Sequence, residues 1–131
     1  MTTSPSKPIR VMLVDDHPEV RSTTAALLTD LGHKVVEAAN GREALKVLKN
    51  GACQCDLLIT DYAMPHLSGT EFLREARKLC PNVPALIITG YAEPGAISDP
   101  PEGVEILLKP FTPSVLEAAM ARITEAEASA G

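Results

Sequence analysis

Five short apolar runs, most of them separated by segments with helical spacing, constrain this chain more than any other feature. Val11-Met12-Leu13-Val14, Val35-Val36, Leu57-Leu58-Ile59, Leu86-Ile87-Ile88 and Ile106-Leu107-Leu108 are continuous rather than alternating. Such runs belong to strands covered on both faces, as in a parallel sheet. Between them, Val20, Thr24, Leu27, Leu28 and Leu31 fall on one stripe. Phe72, Leu73, Ala76 and Leu79 form another, and Val115, Leu116, Ala119, Met120 and Ile123 a third. Residues 41–49 carry a weaker stripe through Ala44, Leu45 and Leu48.

Start and stop signals agree with this phasing. Pro18 suits a first helical turn, Asn40 a cap, Ser68-x-x-Glu71 a capping box, and Thr112 before Pro113 a further cap. Gly32 and Gly51 lie where the first two helices should stop. Strands and helices therefore alternate, and right-handed crossovers make an open, doubly wound α/β sheet with helices on both faces. One crossover breaks the pattern. Residues 92–103 hold three prolines and two glycines, so a short, irregular and mobile segment is expected there.

The 131 residues fit one domain, expected over residues 9–124, with a flexible segment 1–8 and a frayed end 125–131. A hydrophobic fraction of 45% with 22% charged residues describes a globular chain and excludes disorder. The net charge of −5 argues against a nucleic-acid grip built on general basicity. No run approaches the roughly 18 apolar residues that cross a bilayer, so no membrane role is expected. Cys53, Cys55 and Cys80 are expected as reduced thiols in a cytoplasmic protein. Cys53-Gln54-Cys55 is one residue short of the Cys-x-x-Cys spacing of zinc and redox sites.

Ligands of open parallel sheets bind beyond the carboxyl ends of the strands. There the first strand delivers Asp15 and Asp16, the third Asp61, the fourth Thr89 and the fifth Lys109, whereas the second ends in Glu37-Ala38 with nothing obvious to offer. Three carboxylates against one ammonium favour a proton or a divalent cation, and a hard oxygen cluster suits Mg2+. With the cation's charge added the site is neutral, so a phosphoryl group can approach one carboxylate, and Lys109 and Thr89 can hold its other oxygens. Any one of these residues alone is an ordinary cap or turn former. Their joint placement points to phosphoryl transfer onto an aspartate.

These motifs resemble the receiver domain of response regulators, the phosphoacceptor module of two-component signalling. The resemblance rests on Val14-Asp15-Asp16-His17-Pro18, on Leu58-Ile59-Thr60-Asp61-Tyr62-Ala63-Met64-Pro65 with Ser68-Gly69, on Ile88-Thr89-Gly90, and on Lys109-Pro110-Phe111. It implies a flavodoxin-like fold with strand order 2-1-3-4-5. It implies further that Asp61 takes a phosphoryl group from a sensor histidine kinase or histidine phosphotransfer protein. Asp16 would bind Mg2+ directly, Asp15 largely through water, and the Ala63 main-chain carbonyl would complete the set. Thr89 would be the switch hydroxyl, Lys109 the phosphate's partner, and the Lys109-Pro110 bond cis.

Two positions depart from the family pattern. Ile106 stands where many receivers carry a switching aromatic, leaving Tyr91 as the nearest substitute. Ala63 offers no side chain to an attacking water. His17, beside the acid pair, could touch the site but is read in the first place as the polar residue that starts the first helix, with His66 a loop residue and His33 part of the turn before the second strand. Met1 at its start favours a free-standing regulator over a piece of a larger hybrid kinase, both of which stay open, and with no room for a second domain the output is expected to be contact with a downstream target protein. The expected role is not that of a turnover enzyme. The alternatives are a docking module independent of phosphorylation and a phosphate shuttle or sink. An aspartyl-phosphate hydrolase is disfavoured by Ala63, where such enzymes carry a second Asp. A flavin carrier is disfavoured by carboxylates where it needs a phosphate-binding loop.

Overall fold

A computed structural model describes residues 9–51, 55–64, 67–90, 104–109 and 111–130. The expectations for residues 1–8 and 92–103, for Tyr91 and His66, and for the Lys109-Pro110 bond fall outside these described residues. The strands are β1 (Arg10–Val14), β2 (Lys34–Ala38), β3 (Leu57–Asp61), β4 (Ala85–Thr89) and β5 (Val104–Leu108). The helices are α1 (Pro18–Asp30), α2 (Gly41–Gly51), α3 (Gly69–Leu79) and α4 (Pro113–Ala130). All pairings are parallel, and the five-stranded sheet runs β2-β1-β3-β4-β5, so the doubly wound, flavodoxin-like expectation holds.

Two cores lie on opposite faces of the sheet because successive side chains of a strand point to opposite sides. Val11, Leu13, Leu57, Ile59, Leu86 and Ile88 pack with α1 and α4 residues such as Leu28, Leu116 and Met120. Met12, Val14, Leu58 and Ile87 pack with Leu48, Phe72, Leu73 and Ala76 of α2 and α3. Every residue of β3 and β4 is buried. β2 is an edge strand and mostly open, with Val36 48% exposed, which is why only Val35-Val36 marks it in the sequence.

The caps form as read. Asn40 Oδ1 accepts from the Glu43 amide at 2.8 Å, and Thr112 Oγ1 accepts from the Val115 amide at 3.2 Å. Ser68 and Glu71 make a full capping box at the start of α3. Gly32 ends α1 with a φ of 97°, a left-handed value that favours glycine.

Two details correct the sequence reading. The buried face of α1 is Thr24, Ala25 and Leu28, while Val20 at the head of the expected stripe is 39% exposed, beyond the reach of the sheet's cover. Cys55 is a free thiol, but Cys80, buried at the end of α3, is disulfide-bonded. A count of cysteines does not reveal which thiols the fold brings together.

Candidate functional site

The residues expected at the carboxyl rim converge there. β1 and β3 are neighbours, so Asp15 and Asp61 emerge side by side where their strands end. Asp61 pairs with Ile88 and Thr89 with Leu108, which sets Asp61, Thr89 and Lys109 at the carboxyl ends of three successive strands, Lys109 just past the last. The Lys109 amide donates to the Thr89 carbonyl at 2.8 Å. Lys109 Nζ lies 3.8 Å from Asp61 Oδ1, near enough for attraction but too far for a hydrogen bond. Asp15, Asp61 and Thr89 are buried, whereas Lys109 is about one-third exposed.

Each carboxylate is oriented from its own side. The Asp15 amide donates to the Ala38 carbonyl at 3.1 Å, and Asp15 Oδ1 accepts from the His17 amide at 2.9 Å. The Tyr62 amide donates to the Ile88 carbonyl at 2.9 Å, locking the chain just past Asp61 to β4. The Gly69 amide donates to the Tyr62 carbonyl at 2.8 Å, and a Cβ on Gly69 would lie 2.6 Å from the Asp61 carbonyl oxygen. Only glycine allows the first turn of α3 to press this closely against the end of β3.

Burial raises the Asp61 pKa above its ordinary value. Lys109 opposes this, Asp15 and Asp16 reinforce it, and the Tyr62 amide pulls the other way. The carboxyl therefore wants a cation more than its lysine supplies. Asp16 Oδ1 is buried without a hydrogen-bond partner. Asp15, Asp16, His17 and Asp61 each offer one ligand atom, all within 4.8 Å of one another. A hard oxygen set with an orphaned carboxylate oxygen fits a divalent cation such as Mg2+.

Ala63 is exposed beside the rim, and Ile106 is a half-buried aliphatic packed on the α2–α3 core. The sequence reading missed Arg21. Its Nη1 donates to the Asp15 carbonyl at 2.9 Å and its Nε to Glu37 Oε1 at 3.2 Å, so β2 contributes after all, through a strap on the Asp15 main chain. An Arg one turn into α1 was the available signal. His17 starts α1 at its N-cap, as expected, and its side chain, which makes no capping bond, also reaches the site, 3.5 Å from Asp15 Oδ1 and 3.4 Å from Asp16 Oδ1.

Comparison with known proteins gives a consistent picture. The chain matches the family described as Response regulator receiver domain over residues 11–121. It is 35% identical to Sensor kinase CckA of Brucella abortus over 104 residues, covering 78% of this chain and 11% of that protein. It is 33% identical to Transcriptional regulatory protein GlrR of Escherichia coli over 126 residues, covering 95% of this chain and 28% of that protein. The chain thus spans less than a third of either relative. A receiver domain protein from Clostridium thermocellum superposes with a TM-score of 0.84 at 30% identity, covering 94% of this chain and 99% of that one. Response regulator protein TrrA from Thermotoga maritima, solved in complex with Mg(2+)-BeF, superposes with a TM-score of 0.77 at 31% identity, covering 88% of this chain and 98% of that one.

Proposed function

Because the chain belongs to the response-regulator receiver family, we infer that Asp61 accepts a phosphoryl group from a phosphohistidine donor. The observation that carries this reading is the buried Asp61 carboxyl, flanked by Asp15 and Asp16 on one side and by Lys109 Nζ at 3.8 Å on the other. In the transfer an Asp61 carboxylate oxygen attacks phosphorus, the phosphorus–nitrogen bond breaks, and the imidazole leaves with its electron pair and takes a proton. Lys109 and the Thr89 hydroxyl hold oxygens of the arriving group, where charge builds up. Asp15, Asp16, Asp61 and the Ala63 carbonyl are the residues that would hold Mg2+. The cation, when bound, supplies positive charge that lets an anionic group enter an acidic rim.

Nearby backbone bonds hold Asp61 in a reactive position: its neighbour Tyr62 is tied both to β4 and to α3. The donor is a sensor histidine kinase or a histidine phosphotransfer protein, which implies a cytoplasmic setting. The output is a change in a protein-binding surface. The domain acts on its own phosphorylation and is not a turnover enzyme. Ile106 removes an aromatic rotamer from the switch, so Thr89 is the side chain left among the described residues to respond to phosphate. Acetyl phosphate with Mg2+ should label the domain once, at Asp61, and Asp61→Asn should abolish the label. Undiminished labelling of that variant would reject the reading.

A further inference from the structure

We propose that His17 is an additional side-chain ligand at this rim, and that its nitrogen turns the site's preference from Mg2+ toward Zn2+ and similar borderline cations. The inference rests on the cation site assigned above. His17 occupies the N-cap position of α1 with φ −93° and ψ 108°, yet its side chain makes no capping bond. Burial does not put it there either, since the side chain is 66% exposed. Its Nδ1 instead lies 3.5 Å from Asp15 Oδ1 and 3.4 Å from Asp16 Oδ1.

Those separations match two ligands on one ion. Bonds of about 2.0–2.1 Å put tetrahedral ligands about 3.3–3.4 Å apart and octahedral ones about 3 Å apart. The Asp16 oxygen on that edge is the one buried without a hydrogen-bond partner. Mg2+ takes oxygen ligands and keeps its waters, whereas imidazole suits zinc, cobalt, nickel and copper. An all-oxygen rim discriminates only weakly in this way, and an imidazole added to three carboxylates widens the difference. The rival explanation is a bare ion pair between a protonated His17 and the acids, and it involves no metal–nitrogen bond.

The test uses the intact chain and two cations, with Zn2+ and Mg2+ affinities measured by titration calorimetry for the wild type and for His17→Asn. The ratio of Zn2+ to Mg2+ affinity should fall roughly tenfold or more in the variant. In the wild type, nitrogen-15 spectra of the histidine rings should show the His17 Nδ1 signal moving on addition of Zn2+ and the His33 signals staying in place. A ratio unchanged by His17→Asn, or a His17 nitrogen that does not move while Zn2+ binds, overturns the inference. If Mg2+ still binds and Asp61 is still labelled in that case, the phosphoacceptor reading stands alone. If the wild type binds neither cation, both fall together.

Discussion

The two rims of one sheet treat polar groups in opposite ways. At the amino-terminal rim, side chains serve the backbone. Asp56 Oδ2 accepts from the Arg10 amide at 3.0 Å, His33 Nδ1 accepts from the Ile9 amide at 3.2 Å, and Arg77 Nη2 donates to the Val83 carbonyl at 3.0 Å. At the carboxyl rim, the Arg21 strap on the Asp15 carbonyl apart, the backbone serves the side chains. Amides and a close glycine approach hold Asp15 and Asp61 in place, while Asp16 Oδ1 is left buried without a hydrogen-bond partner. The first arrangement completes hydrogen bonds that stabilise the fold. The second keeps carboxylates close together at a cost in stability and so leaves them able to bind a ligand.

The contrast should be sharpest in function. Lys109→Ala removes the cation that faces Asp61, and labelling by acetyl phosphate should slow by roughly a hundredfold, measured under saturating Mg2+. Asp56→Ala, at the other rim, should leave the labelling rate alone, and an equal loss there would erase the distinction between the rims. Next in size is Gly69→Ala. Its Cβ would meet the Asp61 carbonyl oxygen at 2.6 Å, so denaturant unfolding should show a loss of about 1–3 kcal/mol together with weakened labelling. Asp56→Ala should cost less, about 0.5–1 kcal/mol, because its bond to Arg10 lies in solvent.

Titration separates the rims by sign. Burial lowers the His33 pKa from its ordinary 6.5, with Glu117 partly opposing. The unfolded chain then binds the proton first, so His33's contribution is intact above pH 6.5 and is lost as the pH falls below it. His33→Asn should flatten the slope of unfolding free energy in that window. Asp61 behaves in the reverse way. Its pKa is raised from 3.8, so its charge opposes folding at neutral pH, and the penalty is relieved as the pH falls through the raised value. Asp61→Asn should therefore raise the melting temperature at pH 7 slightly, and a lower melting temperature would contradict the strained-carboxylate view.

Much of this was legible beforehand, for reasons that can be named. β3 and β4 are covered on both faces, so their burial is written as unbroken apolar runs, and Ser68 and Glu71 announce α3 through a bonding pattern local in sequence. Asp15, Asp61, Thr89 and Lys109 were legible because parallel strands deliver whatever follows them to the same rim. The rest depends on pairings between distant segments. The Arg21 strap needs Glu37 beside α1, the turn of His17 toward the acids needs a rotamer, and the Cys80 bond needs a partner chosen by the fold. Val20 carries the right spacing for the core and still emerges at 39% exposure, because periodicity marks a stripe but not how far along the helix the sheet extends.

The contact between Gly69 and the Asp61 carbonyl has a mechanical consequence. One jaw of the acidic cleft, the junction of β3 with α3, is wedged main chain against main chain and has no slack to give. On the opposite side the Asp61 carboxylate faces the tip of the Lys109 side chain, across a gap of 3.8 Å. A side-chain tip shifts more readily than wedged main chain, so the Lys109 ammonium, rather than the β3–α3 junction, is the part of the cleft with room to adjust.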